Sequence, residues 1–374
     1  MAIDWVVIPA SVVIALAATL VYVLLIYWID RHEKEPLLLA LATFVWGALP
    51  AVILSVVLEE AAGLTLSSLD PASAQFMAAS VAAPVIEEFA KALALWGLFL
   101  FFRAEFDGVL DGIVYGALVG LGFAMTENIA YFLSSYEEGG WAQWLMVVAV
   151  RSLLFGLMHA FYTGLTGGAL GWALQARSRA VRYTLPLLGL GAAMLAHGLH
   201  NGLLSVASET PLGMVAFAAV ADWSGILLLA GIVVLAWRRE RQVIAAELAD
   251  EVALGTLTQE DYARLTSSSG RALARYRLRQ QHGADYARRW SKLAQAAVEL
   301  AFKKRQSAHS VRAQQAVPLL RQKALALYSA PLAQGTPLAL QRFCPSCGHP
   351  WRAGQRFCTH CGRPQRGMER SQRP

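Results

Sequence analysis

The chain has 374 residues, of which 56% are hydrophobic and only 16% are charged. Soluble domains average about 25% charged residues, so this composition excludes a purely soluble protein and indicates that much of the chain lies in lipid. The first 237 residues carry 8 Lys or Arg against 17 Asp or Glu, a net charge of −9, whereas the rest carry 24 against 9, a net charge of +15. The sequence therefore predicts an apolar half followed by a basic, water-soluble half.

About seven apolar segments are long enough to cross a hydrocarbon core of about 30 Å. They lie at residues 5–29, 37–58, 76–102, 109–133, 143–175, 183–206 and 213–237. The first is longer than the apolar part of a signal peptide, so we interpret it as a retained anchor. The fold class predicted is all-α: a polytopic transmembrane helix bundle with a soluble helical tail.

Among the loops between these segments, only every second loop contains Lys or Arg. The positive-inside rule then places the N-terminus outside a bacterial-type cell membrane and the C-terminus in the cytoplasm. Whether residues 143–175 form one span or two is left open by length alone. A single span keeps all the basic loops on one side, and we adopt it.

Two of the segments contain glycines at helical spacing. The fourth segment has Gly108, Gly112, Gly116 and Gly120, and the fifth has Gly164, Gly167, Gly168 and Gly171. Small residues at this spacing allow helix backbones to approach closely in lipid. We expect these two segments to pack tightly and to build a compact interior where polar groups can meet.

Ionisable residues inside the spans are costly and usually functional. Glu87 and Glu88 precede Lys91 by four and three residues, so all three share a helical face. Glu127 and His159 follow in the fourth and fifth segments, with Arg151 as a partner for a carboxylate. A structural interpretation, in which the two glutamates and the lysine form a buried ion cluster that fixes helix register, remains open.

The sixth segment adds His197 and Asn201, which share a helical face. The predicted topology places Glu87, Glu127, His159 and His197 at comparable depth in the bilayer. Carboxylates and imidazoles that converge in this way can bind zinc or another divalent metal and activate a water molecule. The sequence proposes Glu127, His159 and His197 as ligands of a catalytic metal, and it leaves a metal-free, glutamate-activated water open.

The order of these motifs resembles the PrsW family of intramembrane proteases. Residues 83–91 look like its E-E-x-x-K motif, residues 123–128 like its F-x-x-x-E-N block, and the regions of His159 and His197 like its third and fourth blocks. The resemblance covers residues 80–205, and the layout is similar to that of the CAAX-type (Abi) membrane proteases. It implies an endopeptidase that cleaves a membrane-anchored protein, such as an anti-sigma factor or another regulator.

The resemblance also implies which residues are functional. Carried over by position, they are Glu87, Glu88, Glu127, His159 and His197; Asn201 joins them as a candidate catalytic residue because it shares a face with His197. Two other classes of function stay open. One is a non-enzymatic membrane scaffold or sensor, and the other is a transporter with a proton-relaying interior, although no inverted repeat is present.

Four cysteines near the C-terminus predict a zinc ribbon. Cys344 and Cys347 form one C-x-x-C-G knuckle, and Cys358 and Cys361 form a second. Two such knuckles complete a tetrahedral four-thiolate site for structural zinc, with no position left open for catalysis. The predicted domains are a protease core at 1–237, a basic helical region and linker at 238–340, and the ribbon at 341–366.

The basic region between 238 and about 330 is predicted to be helical, with a break at residues 255–258 and Thr258 as the N-cap of the following helix. Its positive charge favours contact with anionic lipid at the membrane surface. A protein partner at the ribbon is the second alternative. Nucleic acid comes last, because the sequence contains no motif that reads it.

Overall fold

The computed structural model describes residues 5–30, 35–102, 105–106, 108–176, 178–206, 211–307, 311–329, 342–343, 350–351, 357 and 360–361. Helices dominate these residues, and two strands of two residues each accompany them, which confirms the predicted all-α class. The chain divides into two compact units, Met1–Ala236 and Trp237–Pro374.

The helices that begin in the first unit are α1 (Val7–Ile29), α2 (Leu37–Trp46), α3 (Val52–Leu66), α4 (Pro71–Met77), α5 (Ala83–Phe101), α6 (Val109–Ala149), α7 (Met158–Gln175), α8 (Arg179–Ser205) and α9 (Pro211–Ala253). Three π-helical turns, Gly47–Ala51, Ala78–Ala82 and Val150–Leu154, lie between α2 and α3, α4 and α5, and α6 and α7. Such turns are rare and are frequently found at functional sites.

Five helical stretches of the described chain are long and apolar enough to cross a membrane. They are Val7–Ile29, Leu37–Leu66, Val109–Gln175, Arg179–Ser205 and Gly213–Ala253. The longest contains two of the predicted segments, 109–133 and 143–175. The predicted segment 76–102 is not among the five, because α5 carries Glu87, Glu88 and Lys91 in its first half. The predicted count of about seven is therefore roughly consistent with the structure.

The predicted segment 143–175 is a single antiparallel leg of the bundle, although its helix is broken. The chain reverses at Gly140, whose φ of 68° lies in the left-handed region that favours glycine. It then runs back along the part of α6 that precedes Gly140, and the contacts between the two legs include the pairs Trp144–Phe132, Arg151–Asn128, His159–Gly120 and Gly167–Gly112. The π-helical turn Val150–Leu154 breaks this leg in the middle, just before α7.

Backbone contact between α6 and α7 depends on glycine. A Cβ atom added to Gly112 would lie 2.0 Å from the carbonyl oxygen of Gly167, and one added to Gly120 would lie 2.1 Å from that of His159. No side chain fits at such distances, so the glycine spacing does bring the two backbones together, as predicted. The same packing places Glu127 of α6 beside His159 of α7.

The second unit is a small helical bundle with its own core. The end of α9 packs with α10 (Gln259–Leu265), α11 (Ser268–Ser307) and α12 (Val311–Ser329) around buried residues that include Leu248, Leu265, Trp290 and Leu320. Glu251, fully buried, accepts hydrogen bonds from Arg321 at 2.7 Å and Lys304 at 2.9 Å. This ion cluster ties α9, α11 and α12 together.

The sequence predicted one of two local features of this unit, the N-cap of α10, but not the bend in α11. Thr258 caps α10 by accepting a hydrogen bond from the backbone N–H of Asp261 at 3.1 Å, as predicted. The region from 238 to about 330 is helical as predicted, and within it α11 bends at Gly283, where φ is 89°. A single glycine in an otherwise helical pattern is compatible with either outcome.

The ribbon is described only in part. Strands β1 (Arg342–Phe343) and β2 (Pro350–Trp351) pair in antiparallel fashion. Cys361 is exposed in a turn, whereas Cys344, Cys347 and Cys358 lie outside the described residues. The four-cysteine zinc site therefore stays a prediction of the sequence.

Candidate active site

The first turns of α5 carry the charged motif. Pro84 is accepted in the opening turn of this helix because no backbone donor is needed there. Glu87 and Glu88 follow, and Lys91 lies one turn further on, with its Nζ 2.9 Å from Glu87 Oε2 and 2.9 Å from Glu88 Oε1. Lys91 is fully buried, and its Nζ also lies 3.7 Å from the ring centroid of Phe123. The helical spacing thus produces the three-residue ion cluster that the sequence predicted.

The two glutamates of this cluster have different surroundings. Glu88 is fully buried; its Oε1 contacts Lys91 and His197, and its Oε2 accepts a hydrogen bond from the Thr163 hydroxyl at 3.0 Å. The side chain of Glu87 is 8% exposed, and its polar contacts with Lys91 and His197 both involve Oε2. Glu88 is therefore an anchor with both oxygens engaged, and Glu87 is the glutamate better able to meet a reactant.

Hydrogen bonding orients the imidazole of His197. Its Nδ1 lies 3.1 Å from Glu88 Oε1, so the carboxylate accepts the Nδ1 proton. The lone pair is then on Nε2, which lies 4.0 Å from Glu87 Oε2. Histidines that bind metals commonly donate the proton of their other ring nitrogen to a carboxylate, which fixes the orientation of the ring.

His159 is oriented in the opposite sense. Its Nδ1 lies 3.1 Å from Lys91 Nζ, and an ammonium group can only donate, so Nδ1 is the acceptor. The Nε2 proton is then donated to Glu127 Oε2 at 2.9 Å. In both His197 and His159, one ring nitrogen donates its proton to a glutamate, and the other ring nitrogen carries a lone pair.

Glu127 is held from its other side by Arg151. The guanidinium donates to Glu127 Oε2 through one terminal nitrogen and, through Nε, to Asn128 Oδ1 at 2.6 Å. It also stacks on Tyr131, with its central carbon 3.8 Å from the ring centroid. Arg151 is therefore the carboxylate partner that the sequence predicted.

Within the part of the chain that the structure describes, one group of three residues could hold a metal ion. Glu87, His159 and His197 each offer a ligand atom, and these atoms lie within 4.8 Å of one another at buried positions. The sequence had proposed Glu127 in place of Glu87. Oε2 of Glu127 already accepts bonds from Arg151 and from His159 Nε2, which makes it less available to a metal.

Asn201 is not brought into this group. Its side-chain amide donates to the carbonyl oxygen of Ala79 at 3.0 Å, in the π-helical turn that leads into α5. A π-helical turn disturbs the regular helical hydrogen bonds, and Asn201 satisfies one of its carbonyls. Its contact ties α8 to the start of α5 and leaves the candidate catalytic role of Asn201 without a contact to the cluster.

Three neighbouring polar residues were not recognised as part of the site from the sequence. Thr163 bonds Glu88, and Tyr162 lies parallel to the ring of His197 at 4.9 Å between centroids. Asp222 of α9 accepts a hydrogen bond from Tyr162. Only Asp222 carried a signal, because a lone acid in an apolar span calls for a buried partner.

Comparison with known proteins agrees with this geometry. The model of the PrsW family of intramembrane metalloproteases matches residues 35–240, and a zinc-ribbon domain model matches residues 343–365. No solved structure matches the chain.

Several relatives bear the name Protease PrsW. The protein from Geobacillus kaustophilus is 38% identical over 141 residues, which are 37% of this chain and 58% of that protein. The Bacillus subtilis protein is 28% identical over 205 residues, 54% of this chain and 85% of the relative. The Oceanobacillus iheyensis protein is 29% identical over 173 residues, 46% and 72% of the two chains. Because the family match covers more than half of the chain and includes every residue of the buried cluster, the chain belongs to the PrsW family of intramembrane metalloproteases.

Proposed function

We propose that this protein is an intramembrane endopeptidase that hydrolyses a peptide bond in a membrane-anchored protein, such as an anti-sigma factor or another regulator. The observation that carries the proposal is the convergence of Glu87, His159 and His197 within 4.8 Å at buried positions, with one further glutamate on each histidine. An ion cluster that only fixed helix register would not require two oriented imidazoles from α7 and α8.

In the metal-free form of this proposal, Glu87 is the general base. It is the glutamate with the smaller set of contacts, so it takes a proton from the attacking water and passes it to the leaving amine. Glu88 and Glu127 keep His197 and His159 in the tautomers that turn a lone pair inward. The ammonium of Lys91 offsets part of the negative charge of the two adjacent glutamates and stabilises charge that develops nearby.

The residues present also fit a divalent metal. Two imidazoles and one carboxylate are the protein ligands of many catalytic zinc sites, with a fourth position left for water or substrate. Glu87, His159 and His197 would hold the ion. When bound, it would supply Lewis-acid polarisation and lower the pKa of water. Its ligand atoms must then approach more closely, and the lone pair of His159 Nδ1 must turn from Lys91 to the metal.

The proposed function is tested by comparing membrane-protein fragments from cells that produce the wild-type protein with those from cells that produce the Glu87→Gln variant. Fragments that appear only with the wild type identify substrates. A fragment pattern that is the same in both strains, at equal protein levels, would favour the scaffold or sensor alternative.

Metal analysis separates the ribbon from the membrane cluster. We expect the purified wild-type protein to hold two metal equivalents, one in the ribbon and one in the cluster. Cys344→Ser should lose the first while the membrane unit stays folded, since a structural zinc site stabilises only its own small domain. A variant that combines Cys344→Ser with His197→Gln should hold none.

The outcomes of that measurement are distinct. One equivalent in the wild type and none in Cys344→Ser would contradict the metal version of the mechanism. It would leave glutamate-activated water as the form of the proposal. Failure of Cys344→Ser to insert in the membrane would contradict the separation of the ribbon from the core.

We also propose that the second unit lies in the cytoplasm, with the N-terminus outside, that α11 contacts anionic lipid, and that the ribbon takes a protein partner. The support for the lipid contact is a set of exposed arginines on α11, Arg275, Arg277 and Arg279, near exposed Leu273 and Tyr276. Each basic residue near an anionic surface contributes about 1 kcal/mol.

Hydrogen exchange tests the lipid contact. In nanodiscs, phosphatidylglycerol should increase protection of α11 in the wild type, and replacing all three arginines by Gln should remove that increase. Arg305→Gln, which removes one charge at the other end of α11, serves as the control. Protection that does not depend on the anionic lipid would contradict the contact.

A further inference from the structure

A second polar cluster lies next to the candidate active site. It consists of Tyr162 on α7, His200 on α8 and Asp222 on α9. The side chain of Asp222 is 5% exposed, although it lies in an apolar helix. Its Oδ1 accepts a hydrogen bond from the Tyr162 hydroxyl at 3.1 Å, and its Oδ2 accepts one from His200 Nδ1 at 2.6 Å. Burying a carboxylate inside a membrane span costs free energy, so such a residue is expected to have a function.

The cluster is joined to the candidate active site through two helices. Tyr162 follows His159 by three residues on α7, and His200 follows His197 by three residues on α8. Residues three apart lie on the same face of a helix. Asp222 therefore bridges α7 and α8 one turn away from the two histidines that these helices supply.

Tyr162 completes the connection by direct contact. Its side chain is fully buried, and its ring lies nearly parallel to that of His197, at an interplanar angle of 13° and 4.9 Å between centroids. The ring of His197 is thus fixed at its edge by Glu88 and on its face by Tyr162. The hydroxyl of the Tyr162 ring donates to Asp222 Oδ1.

We propose that Asp222 is a positioning residue for the candidate active site: its carboxylate fixes Tyr162 and, through the stacked tyrosine ring, sets the orientation of the His197 imidazole. The effect on catalysis rests on the proposed hydrolytic function. The effect on the orientation of His197 does not, and it can be measured separately.

The orientation is measured by nuclear magnetic resonance on the full-length protein in nanodiscs, with isotope-labelled histidine. The His197 ring signals are assigned from their loss in His197→Gln. Asp222→Asn and Tyr162→Phe should each shift these signals in the same direction, and the double variant should shift them no further than either single variant. Tyr162→Phe removes only one oxygen atom, so it gives a result even if Asp222→Asn folds poorly.

Trp223→Phe is the matched control. Trp223 is adjacent to Asp222 on α9, and its indole donates to the carbonyl oxygen of Leu154 at 3.0 Å, so the variant removes a hydrogen bond of the same helix without touching Tyr162 or His200. It should leave the His197 signals in place. Unchanged signals in both Asp222→Asn and Tyr162→Phe, or equal shifts in the control, would overturn the proposal.

Kinetics on a cleaved membrane substrate give the second measurement. Asp222→Asn and Tyr162→Phe should lower kcat by about 10-fold to 100-fold, the usual cost of losing an orienting partner, with KM changed by less than about twofold. Trp223→Phe should keep wild-type kinetics. A rise in KM at constant kcat would show a role in substrate binding and contradict positioning. If wild type and Glu87→Gln prove equally inactive, the proposed function fails, while the resonance measurement still decides the role of Asp222.

Discussion

Replacing Glu87 by Gln is expected to lower kcat on a purified membrane substrate by at least about 10²-fold. The amide keeps the shape of the side chain and an acceptor for the Lys91 ammonium, which lies 2.9 Å from the native carboxylate. It cannot accept a proton from water, and loss of a general base costs roughly 10²-fold to 10⁴-fold. Expression and membrane insertion should hardly change, because removing a buried charge lowers the cost of insertion.

Two variants with the same chemical change sharpen this test. Glu60→Gln removes an exposed glutamate of α3 and should leave kcat and stability unchanged. Glu88→Gln should lower both, because both oxygens of Glu88 are engaged, with Lys91, His197 and Thr163. Full activity of folded Glu87→Gln on a substrate that the wild type cleaves would remove Glu87 from the mechanism. It would also favour the interpretation in which Glu87, Glu88 and Lys91 form an ion cluster that only fixes helix register.

The helical spacing of charged residues was enough to predict the ion cluster of α5. Contacts between residues three and four apart follow from helix geometry alone, so the bonds from Lys91 to Glu87 and Glu88 could be expected. Spacing could not distinguish the two glutamates, since both reach Lys91. The distinction comes from α7 and α8. Among the described residues, Thr163 and His197 form hydrogen bonds with Glu88 and not with Glu87.

Contacts between helices could be predicted only where the sequence contains a pattern that indicates them. Glycines at four-residue spacing indicated the close contact of α6 and α7, which places Glu127 beside His159. The sequence analysis found no comparable pattern for the π-helical turns at Ala78–Ala82 and Val150–Leu154. This is why Asn201 was expected at the reacting centre, whereas it bonds a carbonyl of such a turn.

Asp222 illustrates what a single sequence leaves undetermined. An acid in an apolar span indicates a buried partner, but its partners Tyr162 and His200 lie on two other helices and carry no spacing relation to it. The sequence analysis proposed Glu127 as a metal ligand, whereas the structure places Glu87 in the group that can hold a metal, and this difference has the same origin. The sequence placed both residues at comparable depth, and the position of Arg151 shows which carboxylate is already engaged.

Replacing Lys91 by Met is expected to destabilise the membrane unit as well as inactivate it. Lys91 is fully buried and contacts Glu87, Glu88 and the Nδ1 of His159. Removing one partner of a buried ion pair leaves an uncompensated charge and costs about 3–5 kcal/mol. The free energy of unfolding, measured by denaturant titration in micelles, should fall by about that amount. Arg151→Met is the matched comparison and should cost less, because the side chains of Arg151 and Glu127 are 22% and 20% exposed.

A second substitution identifies the cause of the loss. If uncompensated negative charge destabilises Lys91→Met, then adding Glu88→Gln should restore part of the lost free energy, even though Glu88→Gln alone is destabilising. The two changes would then be strongly non-additive, as expected for residues in direct contact. Additive losses would show that Lys91 acts through packing, including its contact with the Phe123 ring, and not through its charge. In either case, stability separates Lys91 from Glu87, since Lys91→Met should weaken the folded protein whereas Glu87→Gln should weaken only catalysis.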